Sequence, residues 1–406
     1  MLSPESTAIV KATAGVVAEN SVEITTRFYP HMFAAHPELM RVFNKANQAI
    51  GEQPRALAAS VVAYAVSLID PDASDFGPVM RRIAHKHVSL GIKSYEYPIV
   101  GHHLLWAVGD VLGDAVTPEV AAAWDEVYWL FGCQLVAEES RLYTLGGTDP
   151  EQPWRQYRVV ERIEESPEIF SLLLSPVEGK TPEHQTGQYV AIAVDLPGGE
   201  RQPRQYTISS GPRGDSLRVT IKRVRGVGGT PDGQVSNWLG DNAKPGAVLD
   251  VSQPCGDMVL EESDGPLVLV SAGIGITPIA AVVEDLSRRQ PGRQVRIFHA
   301  DRSHSNQALD ANLRRQVLGL SDVQVQNWYE EGAESAPTLS PALPGFMDLS
   351  DIEIPSDATV FMCGPLPFMR DIRKALLGKG ISAERIHYEV FGPDLWAQNP
   401  DNAEIG

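Results

Sequence analysis

Glycine and proline are spread so unevenly along this chain that they constrain its architecture before any motif is consulted. Of the 65 such residues, 16 lie in residues 1–145 and 49 in the remaining 261. Both disfavour helix interiors, glycine through backbone entropy and proline through its missing N–H and fixed φ. The first third is therefore expected to be helical and the rest rich in strands and turns. The boundary falls at Gly146-Gly147-Thr148-Asp149-Pro150, a cluster of helix stops directly after an apolar helical pattern that ends near Tyr143.

Two kinds of strand follow. From Trp154 to about Gly256 the chain reads as short alternating runs, YRVVERI, QYVAIAV, RQYTIS and LRVTIKRV, separated by Gly/Pro/Asp turns. This is the pattern of a small antiparallel barrel or sandwich. After Gly265 the strands become wholly apolar and alternate with helices: LVLVS, a helix over Pro278 to Arg289, VRIFHA, a helix over Asn306 to Gly319, VQVQNWY, and TVFMCG before a helix over Pro367 to Leu377. That alternation predicts a parallel sheet covered on both faces. The expected class is multidomain: an all-α unit, an antiparallel β-barrel, then an α/β parallel-sheet unit. No internal repeat is visible, and residues 397–406 read as a loose tail.

The remaining totals exclude several functions. A length of 406 residues suits two to three domains. A net charge of -18 repels phosphate backbones and anionic lipid, which argues against nucleic acid as a partner. Cys133, Cys255 and Cys363 lie far apart without metal-ligand spacing, as expected for a reducing cytoplasmic compartment. The opening MLSPESTAIVKATAG lacks a secretory pattern, and no segment is long and charge-free enough for membrane insertion. The apolar tract PLVLVSAGIGI, from Pro266, reads as a buried strand and turn.

Six of the ten histidines lie in the helical third, and His85 and His87 share one expected helix. His87 follows Val79, Met80, Ile83 and Ala84 at i−8, i−7, i−4 and i−3, whereas His85 follows Arg81 and Arg82, so His87 should face inward. A lone inward histidine is usually a core residue. Upstream, Phe28-Tyr29 is read as closing a helix before Pro30, Phe43 lies in a connecting loop, and Gln53 shares a helix face with Leu57, with Pro54 in the first turn.

Together the segments FYPHMF, VFNKANQ, GEQPRAL and IAHKHVSLGIKSYEYPIVGHHLL resemble the globin module of the flavohaemoglobins. That resemblance implies His87 as the proximal ligand of a haem b iron and Phe43 as a ring packed on the porphyrin. It implies Lys86 and Leu57 as further haem contacts, with Tyr29 and Gln53 beside Leu57 in the distal pocket. A neutral imidazole that binds iron through one nitrogen needs an acceptor at the other, which pushes electron density onto the metal. By the same likeness Tyr97 in KSYEYPIVG and Glu139 in AEESRLY supply it, although without the likeness Glu139, like Glu138 beside it, reads as a solvated helix-face acid. A Tyr29 hydroxyl donating to bound dioxygen is worth roughly 1.5–3 kcal/mol, about ten- to hundredfold.

In the strand-rich part, Arg204-Gln205-Tyr206-Thr207 precedes a Ser-Ser-Gly-Pro turn, and Gly233-Gln234-Val235-Ser236 opens a helix about thirty residues on. A helix N-terminus is an anion site. R-x-Y-[ST] followed by G-x-x-S is similar to the FAD-binding barrel of ferredoxin-NADP reductase-like proteins. The likeness implies Arg204 on the flavin pyrophosphate, Tyr206 on or beside the isoalloxazine, Thr207 on its polar edge, Gln205 as a further cofactor contact, and Gly233, Gln234, Val235 and Ser236 around phosphate. An Arg fork suits such a phosphate.

Further on, Gly273-Ile274-Gly275-Ile276-Thr277-Pro278 lies between a strand and a helix, with Pro278 where a third fingerprint glycine would stand. With Cys363-Gly364-Pro365 it resembles the nicotinamide-binding half of the same reductases, Cys363 and Thr277 lying near the nicotinamide. Near the end, HYEVFGP matches the closing segment, implying Phe391 over the flavin and Glu389 near the flavin–haem passage. Asp301 suits a ribose hydroxyl, while Arg302 and Ser303 suit a 2′-phosphate, so NADH and NADPH both stay open.

The resemblance spans residues 1 to about 395 and implies domains at 1–147 (haem), 152–262 (FAD) and 263–406 (NAD(P)). It implies a nitric oxide dioxygenase that carries hydride from NAD(P)H to FAD and single electrons to haem, where dioxygen and nitric oxide become nitrate. Flavin is needed because hydride carries two electrons and haem accepts one. The expected partners are O2, nitric oxide and NAD(P)H, with no obligatory protein partner and a monomeric chain. Two rival readings are a haem-based gas sensor with an attached reductase and a flavin reductase for an external acceptor.

Overall fold

The computed structural model describes residues 2–42, 52–73, 75–212, 214–226, 230–260 and 262–391, with the side chains of 42, 52–56 and 58 outside that description. Phe43, the side chain of Gln53 and the tail at 397–406 thus lie outside the described residues. The chain divides into two compact units, one holding Met1–Pro153 with Pro197–Pro203, the other Trp154–Leu196 with Arg204–Phe391.

The first unit is helical: α1 (Pro4–Glu19), α2 (Ser21–Ala35), α3 (Glu52–Ile69), α4 (Gly77–Leu90), α5 (Tyr97–Leu112) and α6 (Pro118–Leu145). Start signals are written in the sequence. Ser3 Oγ accepts from the Ser6 amide at 3.2 Å ahead of Pro4, and Thr117 Oγ1 accepts from the Val120 amide at 3.4 Å ahead of Pro118. Helix α6 buries Ala123, Trp124, Val127, Tyr128, Phe131, Leu135, Glu139 and Leu142, the three-and-four spacing of an inward face. It ends where expected: the Gly146 amide donates to the Leu142 carbonyl, Gly147 takes φ +61°, and the Thr148 amide returns to the Tyr143 carbonyl at 3.0 Å.

In this unit one boundary differs from expectation. Helix α2 does not stop before Pro30 but runs through it to Ala35. Proline there cannot donate to the Thr26 carbonyl, a loss worth about 3 kcal/mol. Burial of Phe28 and Tyr29 before the proline and Met32 after it offsets that cost.

In the second unit, β1 (Trp154–Ser166), β2 (Ile169–Pro176), β3 (Tyr189–Asp195), β4 (Arg201–Thr207, which this unit holds from Arg204 on), β5 (Leu217–Lys222) and β6 (Val248–Ser252) form a sheet in the order β4-β3-β6-β1-β2-β5. An antiparallel bridge from Ile208, just past β4, to Val219 on β5 joins the two outer strands, so a barrel forms rather than a sandwich. Its interior packs Tyr157, Phe170, Leu172, Ile192, Val219 and Val251 against Val235 and Leu239 of α7 (Gln234–Asn242).

The parallel sheet holds β7 (Leu267–Ala272), β8 (Gln294–Asp301), β9 (Asp322–Tyr329), β10 (Leu343–Pro344), β11 (Thr359–Cys363) and β12 (Ile386–Glu389) in the order β10-β9-β8-β7-β11-β12. Its helices are α8 (Ile276–Arg289), α9 (Asp310–Val317) and α10 (Leu366–Gly378). Successive strands step outward from β7 in one direction and from β11 in the other. The right-handed crossover rule then puts α8 and α9 on one face and α10 on the other, with the switch point beside β7. Helix α9 starts later than Asn306, because His304–Asn306 forms a separate tight turn and Leu309 adopts φ +60° before the helix begins. Among the described residues no helix is long and apolar enough to cross a membrane, and all three cysteines are free.

Candidate functional site

On α4 the buried stripe is Met80, Ala84 and Val88, and half-buried His87 sits at its edge. Its orientation comes from two other helices. His87 Nδ1 lies 2.8 Å from Glu139 Oε1 on α6 and 2.9 Å from Tyr97 Oη at the start of α5. The Tyr97 hydroxyl donates to the same Glu139 oxygen at 2.5 Å. Burial, reinforced by the adjacent Glu139, holds the Tyr97 pKa well above the ordinary phenol range, so the proton stays on Oη and points at the carboxylate. The His87 Nδ1–H is then the second donor to Glu139. With Nδ1 committed, Nε2 is the nitrogen left for a metal, the arrangement that an iron-ligating imidazole requires. Glu138 is separated from Glu139 by its partner, Arg141, which binds it at 2.9 and 2.5 Å on the surface.

The supports of this triad include residues without a local sequence signal. The Tyr128 hydroxyl donates to the Tyr97 carbonyl at 2.6 Å, and its ring occupies the space a Cβ on Gly101 would need, 2.3 Å away. Glu96, beside Tyr97, is buried, accepts from the Lys93 amide at 3.0 Å and pairs with Arg41. On α2, Tyr29 is buried with its ring 4.6 Å from Phe28 and 5.8 Å from Phe33. Leu57 on α3 and Lys86 on α4 are half-buried.

In the barrel, Arg204, Gln205 and Tyr206 are half-buried on β4 and Thr207 is buried. Tyr206 packs against the same core that holds Val235, which brings the two motifs onto one cluster. Gly233 caps α7, and a Cβ there would meet Val224 Cβ at 2.7 Å. Ser236 Oγ accepts from the Val224 amide at 3.1 Å and donates to the Gly233 carbonyl at 3.2 Å. The donors this turn can offer a phosphate are therefore the first-turn amides of Gln234, Val235 and Ser236, which no intrahelical carbonyl reaches.

At the switch point Gly273 takes φ +54° with open space around its missing Cβ, whereas a Cβ on Gly275 would lie 2.2 Å from the Cys363 carbonyl oxygen. The turn therefore presses against Cys363-Gly364. Thr277 and Pro278 are buried at the start of α8, the Thr277 hydroxyl donating to the Ile274 carbonyl at 3.0 Å, and Pro365 caps α10. Register places Asn327, His299, Ser271, Cys363 and Glu389 in one row across five strands near their carboxyl ends. All five are buried. Burial, with Glu389 alongside, pushes the Cys363 thiol far up, so it stays protonated and is no nucleophile. His299 Nε2 and Asp301 Oδ2 lie 3.7 Å apart, and both, like Gln307 Nε2, are buried polar atoms without a hydrogen bond near this edge. Phe391, past β12, is exposed.

Comparison with known proteins agrees with this division of labour. The globin family model matches residues 26–134, and the oxidoreductase NAD-binding domain model matches residues 269–374. The chain is 41% identical over 401 residues to the flavohaemoprotein of Chromobacterium violaceum, covering 97% of this chain and 98% of that one. It is 39% identical over 413 residues to that of Rhizobium meliloti, covering 98% and 100%. The crystal structure of a flavohaemoglobin from Malassezia yamatoensis with bound FAD and haem matches at a TM-score of 0.86 and 32% identity, over 96% of this chain and 100% of that one. The flavohaem-like FAD/NAD-binding domain of nitric oxide dioxygenase from Vibrio cholerae matches at a TM-score of 0.54 and 33% identity, over 59% of this chain and 99% of that one. Two-domain models in the order the architecture demands, and near-complete coverage of full-length relatives, establish that the chain belongs to the flavohaemoprotein family, a globin joined to an oxidoreductase module.

Proposed function

We propose that this protein is a nitric oxide dioxygenase that holds haem b in its helical unit and FAD in its barrel, and takes electrons from NADH or NADPH. The observation that carries the reading is the anchoring of His87 Nδ1 by the Glu139 carboxylate, 2.8 Å away, on a globin framework. A carboxylate behind the proximal imidazole favours oxygen activation over reversible carriage. When bound, FAD supplies the change from two-electron to one-electron transfer and haem supplies the oxygen chemistry. The protein's own residues do the rest. Glu139 and Tyr97 fix the His87 tautomer, with the Tyr97 proton held at Oη. Tyr29 and Gln53 orient the diatomic ligand, and Phe43, Leu57 and Lys86 contact the haem. Arg204, Gln205, Tyr206, Thr207 and the Gly233–Ser236 turn hold FAD. The turn from Gly273 to Pro278 and Cys363 to Pro365 seat the nicotinamide nucleotide, and Phe391 shields the flavin near Glu389. The proposed domains are 1–147, 152–262 and 263–406.

The test is nitric oxide consumption under air with NADH and then NADPH, with nitrate measured in parallel. One nitrate per nitric oxide supports the dioxygenase. Turnover that starts only on adding a protein electron acceptor refutes it.

A further inference from the structure

Where the barrel meets the nucleotide-binding sheet, the second unit buries charge in a place the proposed electron route does not use. Arg218 projects from β5 of the barrel. Its guanidinium donates to Glu284 Oε2 at 3.2 Å on α8, to Asn312 Oδ1 at 3.4 Å on α9, and to the Ser209 carbonyl and Ser209 Oγ, the latter at 3.3 Å. The Arg218 and Glu284 side chains are only 9% and 2% exposed. A second tie runs alongside. Glu165 on β1 accepts from the Leu309 amide at 3.0 Å, and so engages the backbone at the one described non-glycine residue with positive φ. The same carboxylate accepts from Ser171 Oγ at 2.5 Å, and Ser171, Thr220 and Ser209 continue the chain of hydroxyls back to Arg218 at 2.9 and 2.8 Å. A third tie joins Thr186 Oγ1 to Asp285 Oδ2 at 2.8 Å.

Resting on the reading that nicotinamide reduces flavin in this chain, we infer that Arg218 and Glu284 are positioning residues for hydride transfer. They lock the helix that leaves the Gly273–Gly275 turn onto the flavin-binding barrel. Two physical arguments support this. Buried ion pairs contribute little net stability against an apolar replacement, so their best-attested use is to select one geometry among several close ones. An apolar interface is already present, since Ile169 and Met258 pack into the core of the parallel sheet, and apolar contact alone allows sliding. Glu284 stands nine residues beyond Gly275, about 13 Å along α8, so slippage at the ion pair is carried to the turn that seats the nucleotide. Transfer breaks the C4–H bond of the dihydronicotinamide, which is oxidised to nicotinamide, and forms N5–H on the flavin, which is reduced by two electrons. A misplacement of about 1 Å costs this kind of step roughly a hundredfold.

The experiment uses the full chain loaded with both prosthetic groups, mixed anaerobically with NADH or 4-deuterated NADH while flavin absorbance is followed. In Glu284→Gln the limiting rate at saturating NADH is expected to fall about tenfold or more, with half-saturation and FAD content near the parent's and the deuterium effect fully expressed. The double exchange Arg218→Met with Glu284→Leu removes both charges of the pair and carries the comparison should the single variant lose FAD. It is expected to recover the parent's melting temperature while remaining slow. Transfer at the parent's rate in the double variant would overturn the inference, because the pair would then serve stability alone. Parent flavin left oxidised by both NADH and NADPH would overturn the functional reading first, and the inference with it.

Discussion

Replacing Glu139 by Gln tests the proximal arrangement without altering its shape. In the parent, Glu139 Oε1 receives both the Tyr97 proton at 2.5 Å and the His87 Nδ1 proton at 2.8 Å. Gln keeps an oxygen in reach but removes the charge. A hydrogen bond to a charged acceptor is worth about 1.5–3 kcal/mol and a neutral one about 0.5–1.5, so the exchange removes roughly 1–1.5 kcal/mol from the form that needs the electron-rich imidazole. That form is ferric haem, which carries the extra positive charge. Conversion at about 59 mV per tenfold change predicts a ferric/ferrous midpoint raised by roughly 45–65 mV. Spectroelectrochemical titration of the haem-loaded chain reads this directly, and Glu138→Gln, whose parent carboxylate pairs with Arg141, supplies the unshifted control. A Glu139→Gln midpoint equal to the control's would refute the claim that this carboxylate tunes the iron through His87.

Three further outcomes are expected. Tyr29→Phe releases dioxygen about ten- to hundredfold faster in flash or stopped-flow kinetics, in proportion to a hydrogen bond of roughly 1.5–3 kcal/mol. Equal release rates would remove Tyr29 from ligand stabilisation. Gly101→Ala drives a Cβ to within 2.3 Å of the Tyr128 ring and is expected to destabilise the helical unit by about 1–3 kcal/mol, seen as a lowered melting midpoint. Burial, with His31, His102 and His36 close by, pulls the His103 pKa below the ordinary histidine value. The unfolded chain therefore takes up that proton more readily, so stability is full above about pH 6.5 and declines as pH falls below it. His103→Gln should flatten that acid-side decline in thermal melts.

The parts of the fold that announced themselves were those governed by local rules. The helix stop at Gly146-Gly147 depends on neighbours in the chain, and it stands where the sequence signals it. His87 was legible because helical spacing sets its face, yet that spacing says nothing of Glu139, 52 residues away, which was distinguishable from Glu138 only by family likeness. Tyr128 and Gly101 were invisible because a hydroxyl-to-carbonyl bond and a missing Cβ leave no pattern in one sequence. Pro30 was misread for the opposite reason: the local rule was clear, and burial on both sides of it prevailed. Arg218 and Glu284 meet only because the barrel and the sheet pack together, so no spacing could have paired them.

The crowding of Gly275 against the Cys363 carbonyl has a practical side. Segments some ninety positions apart are shaped to each other's backbone, so neither can be transplanted from a relative by itself. Anyone recombining coenzyme selectivity among these reductases should expect chimaeras that exchange only the first glycine turn to fail, and those that carry both pieces as one cassette to work.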